Sequence, residues 1–61
     1  MDHESLEPYV GKIVKLVLEN GFWYKAKILS VTIDAITFIE LKGHLVSVHP
    51  KTIIMIEEVG E

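Results

Sequence analysis

The sequence predicts an all-β fold, a strongly bent five-stranded barrel behind a short N-terminal helix, and three observations carry that expectation. Turn signals recur along the chain at close intervals. The segments between them are rich in Val, Ile, Thr and aromatic residues, which fit a pleated, half-buried surface. Many short strands at this spacing point to a sandwich or a barrel.

The elements follow in order. Leu6, Tyr9 and Val10 fall at i, i+3 and i+4, one face of a short helix. Ser5 is its expected N-cap, Pro8 is tolerable in a first turn, and Gly11 ends it. A first strand is expected over 12–18. Glu19-Asn20-Gly21 separates it from a second strand over 22–32, and Asn-Gly is the strongest short hairpin signal. Ile33-Asp34 is a weaker break before a third strand over 35–41. Lys42-Gly43 turns the chain into a fourth strand over 44–49, and His49-Pro50-Lys51-Thr52 leads to a fifth over 53–58. One domain spans 1–61, with residues 1–5 and 59–61 expected to fray and Glu57-Glu58-Val59-Gly60-Glu61 closing as an acidic tail.

The chain has 61 residues. A domain this small buries only about 60% of its unfolded surface, so a disulfide, a metal or a partner subunit often supplements the core. There is no cysteine. His3, His44 and His49 show no ligand-like clustering, whereas zinc takes about four ligands at close spacing, so no metal or other cofactor is expected. Oligomerisation is left as the supplement. Residues are 49% hydrophobic and 25% charged, which is globular. The formal net charge of −3 argues against broad electrostatic capture of nucleic acid but leaves room for a local basic rim. No apolar run approaches the roughly 18 residues of a membrane span. The polar opening Met1-Asp2-His3-Glu4-Ser5 lacks the chemistry of a signal peptide, so a cytoplasmic protein without membrane contact is expected.

Hydrophobic residues exceed what one sheet face needs. Val14, Leu16 and Leu18 share a face of the first strand, yet Ile13 and Val17 occupy the other. In the third strand Ile36 and Phe38 oppose Ile39 and Leu41. In the fifth, Ile53 and Met55 are expected to face one way and Ile54 and Ile56 the other. Either the corners of a tight barrel bury both faces, or the surplus meets a neighbouring subunit.

From Leu6 to Glu58 the chain resembles an Sm-like (LSm) domain, including the bacterial Hfq type. The run Gly11-Lys12-Ile13-Val14-Lys15-Leu16-Val17-Leu18-Glu19-Asn20-Gly21 is similar to that family's opening, a glycine, alternating strand hydrophobes, then a polar residue and a glycine turn. Tyr24, Ala26, Ile28 and Val31 stand where the family's second strand has its inward residues, and His49-Pro50-Lys51-Thr52 stands at the short turn before its last strand. The resemblance implies an SH3-like barrel of Sm type and a hexameric or heptameric ring, with the fourth strand of one subunit pairing with the fifth of the next. Departures are specific. Ala26 replaces the glycine that eases the bend of the second strand. Thr32 and Ile36 stand at the Asp and Asn of the family's nucleotide pocket, Asp34 at its stacking residue, and His49-Pro50 at its Arg-Gly. Most of the set that reads single-stranded RNA is therefore absent.

Two groups of residues are candidates for RNA contact. Thr32, His49 and Lys51 would line the centre of a ring and touch phosphate; alternatively they are ordinary exposed turn residues. Trp23, Lys25 and Lys27 share a face of the second strand, where aromatics among basic residues can bind nucleic acid; alternatively Trp23 anchors an edge and the lysines keep the strand soluble. His44 is expected to face solvent. Nothing marks an enzyme: Ser5, Ser30 and Ser47 lack a nucleophile motif, no Gly-rich loop is present, and Glu57 and Glu58 point to opposite strand faces. The expectation is an Sm-like homo-oligomeric ring that binds RNA weakly or atypically, its avidity coming from repeated weak contacts. The alternative is an SH3-like protein-interaction or scaffold module that touches no nucleic acid.

Overall fold

The computed structural model describes residues 1–60. Its elements are α1 (His3–Leu6), a 3₁₀ turn (Glu7–Tyr9), β1 (Ile13–Leu18), β2 (Trp23–Val31), β3 (Ile36–Glu40), β4 (Leu45–Val48), a second 3₁₀ turn (Pro50–Thr52) and β5 (Ile53–Glu58). The fold is mostly β, as the sequence predicts. The strands form one antiparallel five-stranded sheet in the order β4-β3-β2-β1-β5.

The first hairpin shows how local chemistry builds the sheet. Leu18 N–H donates to the Phe22 carbonyl at 2.7 Å, and Gly21 N–H donates to the Leu18 carbonyl at 2.9 Å. Asn20 Oδ1 accepts from Phe22 N–H at 3.0 Å. Gly21 takes φ +89°, a left-handed conformation that glycine adopts without steric cost. This is a three-residue loop with glycine in the left-handed position, so of the Asn-Gly pair only Gly21 needs the positive φ.

β1 alternates cleanly: Val14, Leu16 and Leu18 are buried and the residues between them half-buried. In β2, Tyr24, Ala26 and Ile28 face inward, and so does Val31, although it stands three positions after Ile28. The register explains this. Ile28 pairs with Phe38 and Ser30 with Thr37, so Leu29 is an extra residue outside the ladder. β5 repeats the device. Leu18 pairs with Ile53 and Val17 with Met55, leaving Ile54 as the extra residue. Each bulge shifts the pleat by one and bends its strand.

The second bulge corrects the expected faces of β5. Ile53 and Ile56 face the core, while Met55 lies on the outer face opposite Val17. The core joins Leu6 of α1 with Val14, Leu16, Leu18, Ala26, Ile28, Ile36, Phe38 and Ile53. Only the short helical segment over 3–9 is available as a second layer. The sheet therefore curls over its own inner face, within extents of 24 × 23 × 19 Å. It remains open, with β4 and β5 at its two edges.

The N-terminal segment departs from expectation. Asp2, not Ser5, caps α1: Asp2 Oδ1 accepts from Ser5 N–H at 3.0 Å. The helix starts earlier because Asp2 is itself a strong N-cap and precedes it in the chain. Leu6 is buried and Tyr9 packs on the core, but Val10 leaves the helical conformation at ψ 130° and is exposed. Within residues 1–5, expected to fray, the Met1 ammonium donates to the carbonyls of Pro50 at 3.1 Å and Ile53 at 2.7 Å. At the other end Glu57 and Glu58 are not tail but ladder, opposite Lys15 and Val14, and Val59 N–H donates to the Ile13 carbonyl at 3.1 Å. Glu61, the end of the expected tail, lies outside the described residues.

Phe38 is fully buried, with its ring centroid 5.4 Å from that of Tyr24. Truncating such a residue costs about 3–5 kcal/mol, against a total of roughly 0.05–0.15 kcal/mol per residue. Phe38→Ala is expected to leave most of the chain unfolded near body temperature, which circular dichroism on heating checks. Hydrogen bonds from Ser5, its side chain first and its backbone second, hold the Asp2 carboxyl below its ordinary value. The lowered folded-state value makes this stabilisation complete above the unfolded value near pH ~4 and lost as pH falls through the lowered value. Asp2→Asn keeps a cap acceptor, so it is expected to flatten the fall in melting temperature on acidification without changing the helix near neutrality.

Candidate functional site

Two connections and the start of the chain meet at one end of the sheet. Between β2 and β3, the Thr32 hydroxyl donates to the Ala35 carbonyl at 3.2 Å and accepts from Asp34 N–H at 3.3 Å and Ala35 N–H at 3.0 Å. It closes a turn of the kind Ser and Thr form with their own backbone. Between β4 and β5, His49 caps the second 3₁₀ turn: its Nδ1 accepts from Lys51 N–H at 3.0 Å. That acceptor role leaves the proton of the neutral ring on Nε2. Thr52 Oγ1 adds a bond to the His49 carbonyl at 2.8 Å.

These turns and the segment Met1-Asp2-His3 surround a hollow of about 290 Å³. His49 and Lys51 line it, as do His3, Ile33, Asp34 and Pro50. Thr32 does not, and its hydroxyl is committed to its own turn, so its expected place beside His49 and Lys51 is taken by Ile33 and Asp34. The charges are mixed: Lys51 and the two histidines share the hollow with the carboxylates of Asp2 and Asp34. An anion placed there meets one lysine and the Met1 ammonium, which is already bonded to two carbonyls, beside two carboxylates. His3 and Ile33 belong to this site although the sequence did not single them out. They stand far from His49 in the chain, so no local spacing could have found them.

Trp23, Lys25 and Lys27 form a separate group on the outer face of β2. The inward Tyr24, Ala26 and Ile28 fix that side by alternation. Lys15, across the ladder on β1, joins them: its Nζ lies 5.1 Å from the centroid of the Trp23 ring, a cation–π contact. A shallow hollow of about 360 Å³ lies beside it, lined by Gly21, Phe22, Trp23 and Tyr24. Five of the six expected RNA-contacting residues therefore fall into two sites, His49 and Lys51 in one and Trp23, Lys25 and Lys27 in the other, while Thr32 lines neither.

His44 is exposed, and its Nδ1 lies 3.1 Å from Glu40 Oε1 across the β3–β4 hairpin. Among the described residues no three His, Asp or Glu side chains gather as metal ligands, and no helix is long and apolar enough to cross a membrane. No protein-family model matches the chain, and no curated protein is significantly similar to it.

His49 holds the turn together, whereas the Lys51 side chain makes no hydrogen bond or ion pair among the described residues. His49→Ala is expected to cost about 0.5–2 kcal/mol, as loss of a cap does, while Lys51→Ala stays within about 0.5 kcal/mol. Denaturant titration of the two variants checks the contrast.

Proposed function

We propose that this protein is an Sm-like subunit that assembles into a homo-oligomeric ring and contacts single-stranded RNA weakly through its turn-end hollow. The observation that carries the proposal is the state of the two sheet edges. An edge strand offers a row of unpaired N–H and C=O groups, and proteins that remain monomeric blunt such edges with charge, proline or a cover. β4 carries no charged residue, and β5 has none before Glu57. Leu45 on β4 is 66% exposed, and Ile54 and Met55 on β5 are 60% and 40% exposed.

Pairing of β4 on one subunit with β5 on the next joins two different surfaces. Such heterologous contacts close into rings where the rotation permits. A ring uses both edges of every subunit and covers the exposed apolar residues of the edge strands, Leu45, Ile54 and Met55. It also completes the Sm-like description, in which the curled sheet is a bent barrel and the ring has six or seven members. The turn-end hollow is then repeated around the assembly, and its single lysine per subunit gains strength by avidity.

The mixed charge of the hollow favours a second reading, an SH3-like module whose open edge takes a strand from another protein. Native mass spectrometry separates the two. A ring of fixed number is expected, and a monomer at working concentration overturns the assembly. Leu45→Lys and Ile54→Lys are each expected to shift the ring to monomers with an unchanged circular dichroism spectrum. Titration with U-rich and A-rich RNA at low salt should show weak binding that Lys51→Ala reduces. A ring that binds neither RNA leaves a scaffold role for the assembly.

A further inference from the structure

The chain has six lysines and no arginine. Four of them, Lys12, Lys15, Lys25 and Lys27, lie on or beside the β1–β2 hairpin, although the net charge is −3. Lys15 stands directly opposite Lys25 in the ladder, where like charges repel. Lys12 is paired, with Nζ 3.6 Å from Glu58 Oε2, and Lys15 has the Trp23 ring and the register neighbour Glu57. Lys25 and Lys27 have no carboxylate within 4.0 Å among the described residues. Folding does not explain this concentration of charge, because it works against the hairpin.

Next to the unpaired lysines stand two large aromatics that the core does not use. Trp23 is 60% exposed and Phe22 is 63% exposed. The Lys15 ammonium lies over the indole and helps hold it in place, while most of the Trp23 side chain stays open to solvent. Lys25 and Lys27 are two residues apart, about 6.6 Å along a strand, a spacing of the order of the phosphate repeat in an extended single strand.

We propose that this outer β1–β2 face is a second nucleic-acid surface, on which a base of single-stranded RNA stacks on Trp23 while neighbouring phosphates lie on Lys25, Lys27 and Lys15. Lysine is a compact point charge that suits phosphate, whereas arginine supplies the fork that grips carboxylates in pairs. The stacking surface favours a base over an acidic peptide, since every base has a π-face. Asn20, the nearest side-chain amide in the hairpin, uses its oxygen on Phe22 N–H. The outward row itself, Trp23, Lys25 and Lys27 with Lys15, carries no amide or hydroxyl to read base edges, so it binds with little sequence preference and strong salt dependence. All its residues come from one chain, so it adds a contact site to the proposed ring without depending on assembly.

Trp23 is the only tryptophan, so fluorescence excited selectively at tryptophan, away from the absorption of Tyr9 and Tyr24, reports on this face. Short oligo(A) and oligo(U) RNA added at low salt should both quench it. With three lysines on phosphates, the logarithm of the binding constant should fall against the logarithm of salt with slope about −2, and Lys25→Ala with Lys27→Ala should flatten it to about −0.7. Trp23→Leu, followed by anisotropy of labelled RNA and checked for folding by circular dichroism, should weaken binding about 5- to 150-fold. Absence of quenching at low salt overturns the proposal, as does RNA binding that Lys51→Ala abolishes and the β2 variants leave intact. Equal quenching by a poly-glutamate peptide overturns it in favour of an acidic protein partner. Native mass spectrometry on the same samples keeps the two readings apart: a ring without quenching defeats this surface alone, and a quenched monomer defeats the ring alone.

Discussion

A sheet whose inner face buries residues from four strands, with one short helical segment as its only other layer, has to cover itself. That requirement governs the rest of the structure. A flat antiparallel sheet of this length would leave Leu16, Ile28 and Phe38 facing water. The two bulges, at Leu29 in β2 and Ile54 in β5, supply the bend that prevents it. Each puts one extra apolar residue on the surface and in return brings Val31 or Ile56 onto the core. Leu6 and Tyr9 then close what the curl leaves open.

The same constraint leaves β4 and β5 at free edges. Both are joined by the turn His49-Pro50-Lys51-Thr52, so the chain passes from one edge of the sheet to the other in a few residues. The turn is held internally by His49 Nδ1 and the Thr52 hydroxyl. The Met1 ammonium adds bonds from outside it. A rigid connection of this kind fixes the angle between the edges, and the angle between edges decides whether repeated pairing closes.

Surface chemistry divides along the same lines. The turn end gathers histidines, one lysine and two aspartates, a mixed set with little net attraction for phosphate. The outer face of the first hairpin gathers lysines and exposed aromatics with few acids. Alternation along β2 produces that separation: the inward row is Tyr24, Ala26 and Ile28, and the outward row is Trp23, Lys25 and Lys27. In the proposed ring, weak contacts at either surface would be repeated around the assembly, which links the edge chemistry to the proposed function.

Length, composition and local pattern determined the strand order in the chain, the hairpin at Asn20-Gly21, the inward row of β1 and the shared outer face of Trp23, Lys25 and Lys27. These depend on neighbours a few residues apart, where sterics and alternation act directly. Tertiary structure alone decided which side of the pleat Ile56 and Met55 take, because a bulge exists only relative to a partner strand. It also decided that Ile33 and His3 meet His49, whereas the Asp2 cap and the Thr32 turn are local contacts over three residues. The approach of Lys15 to Trp23 is likewise a tertiary contact. The strand faces set by the bulges and the meeting of Ile33 and His3 with His49 join positions that the sequence separates and only the register of the curled sheet brings together.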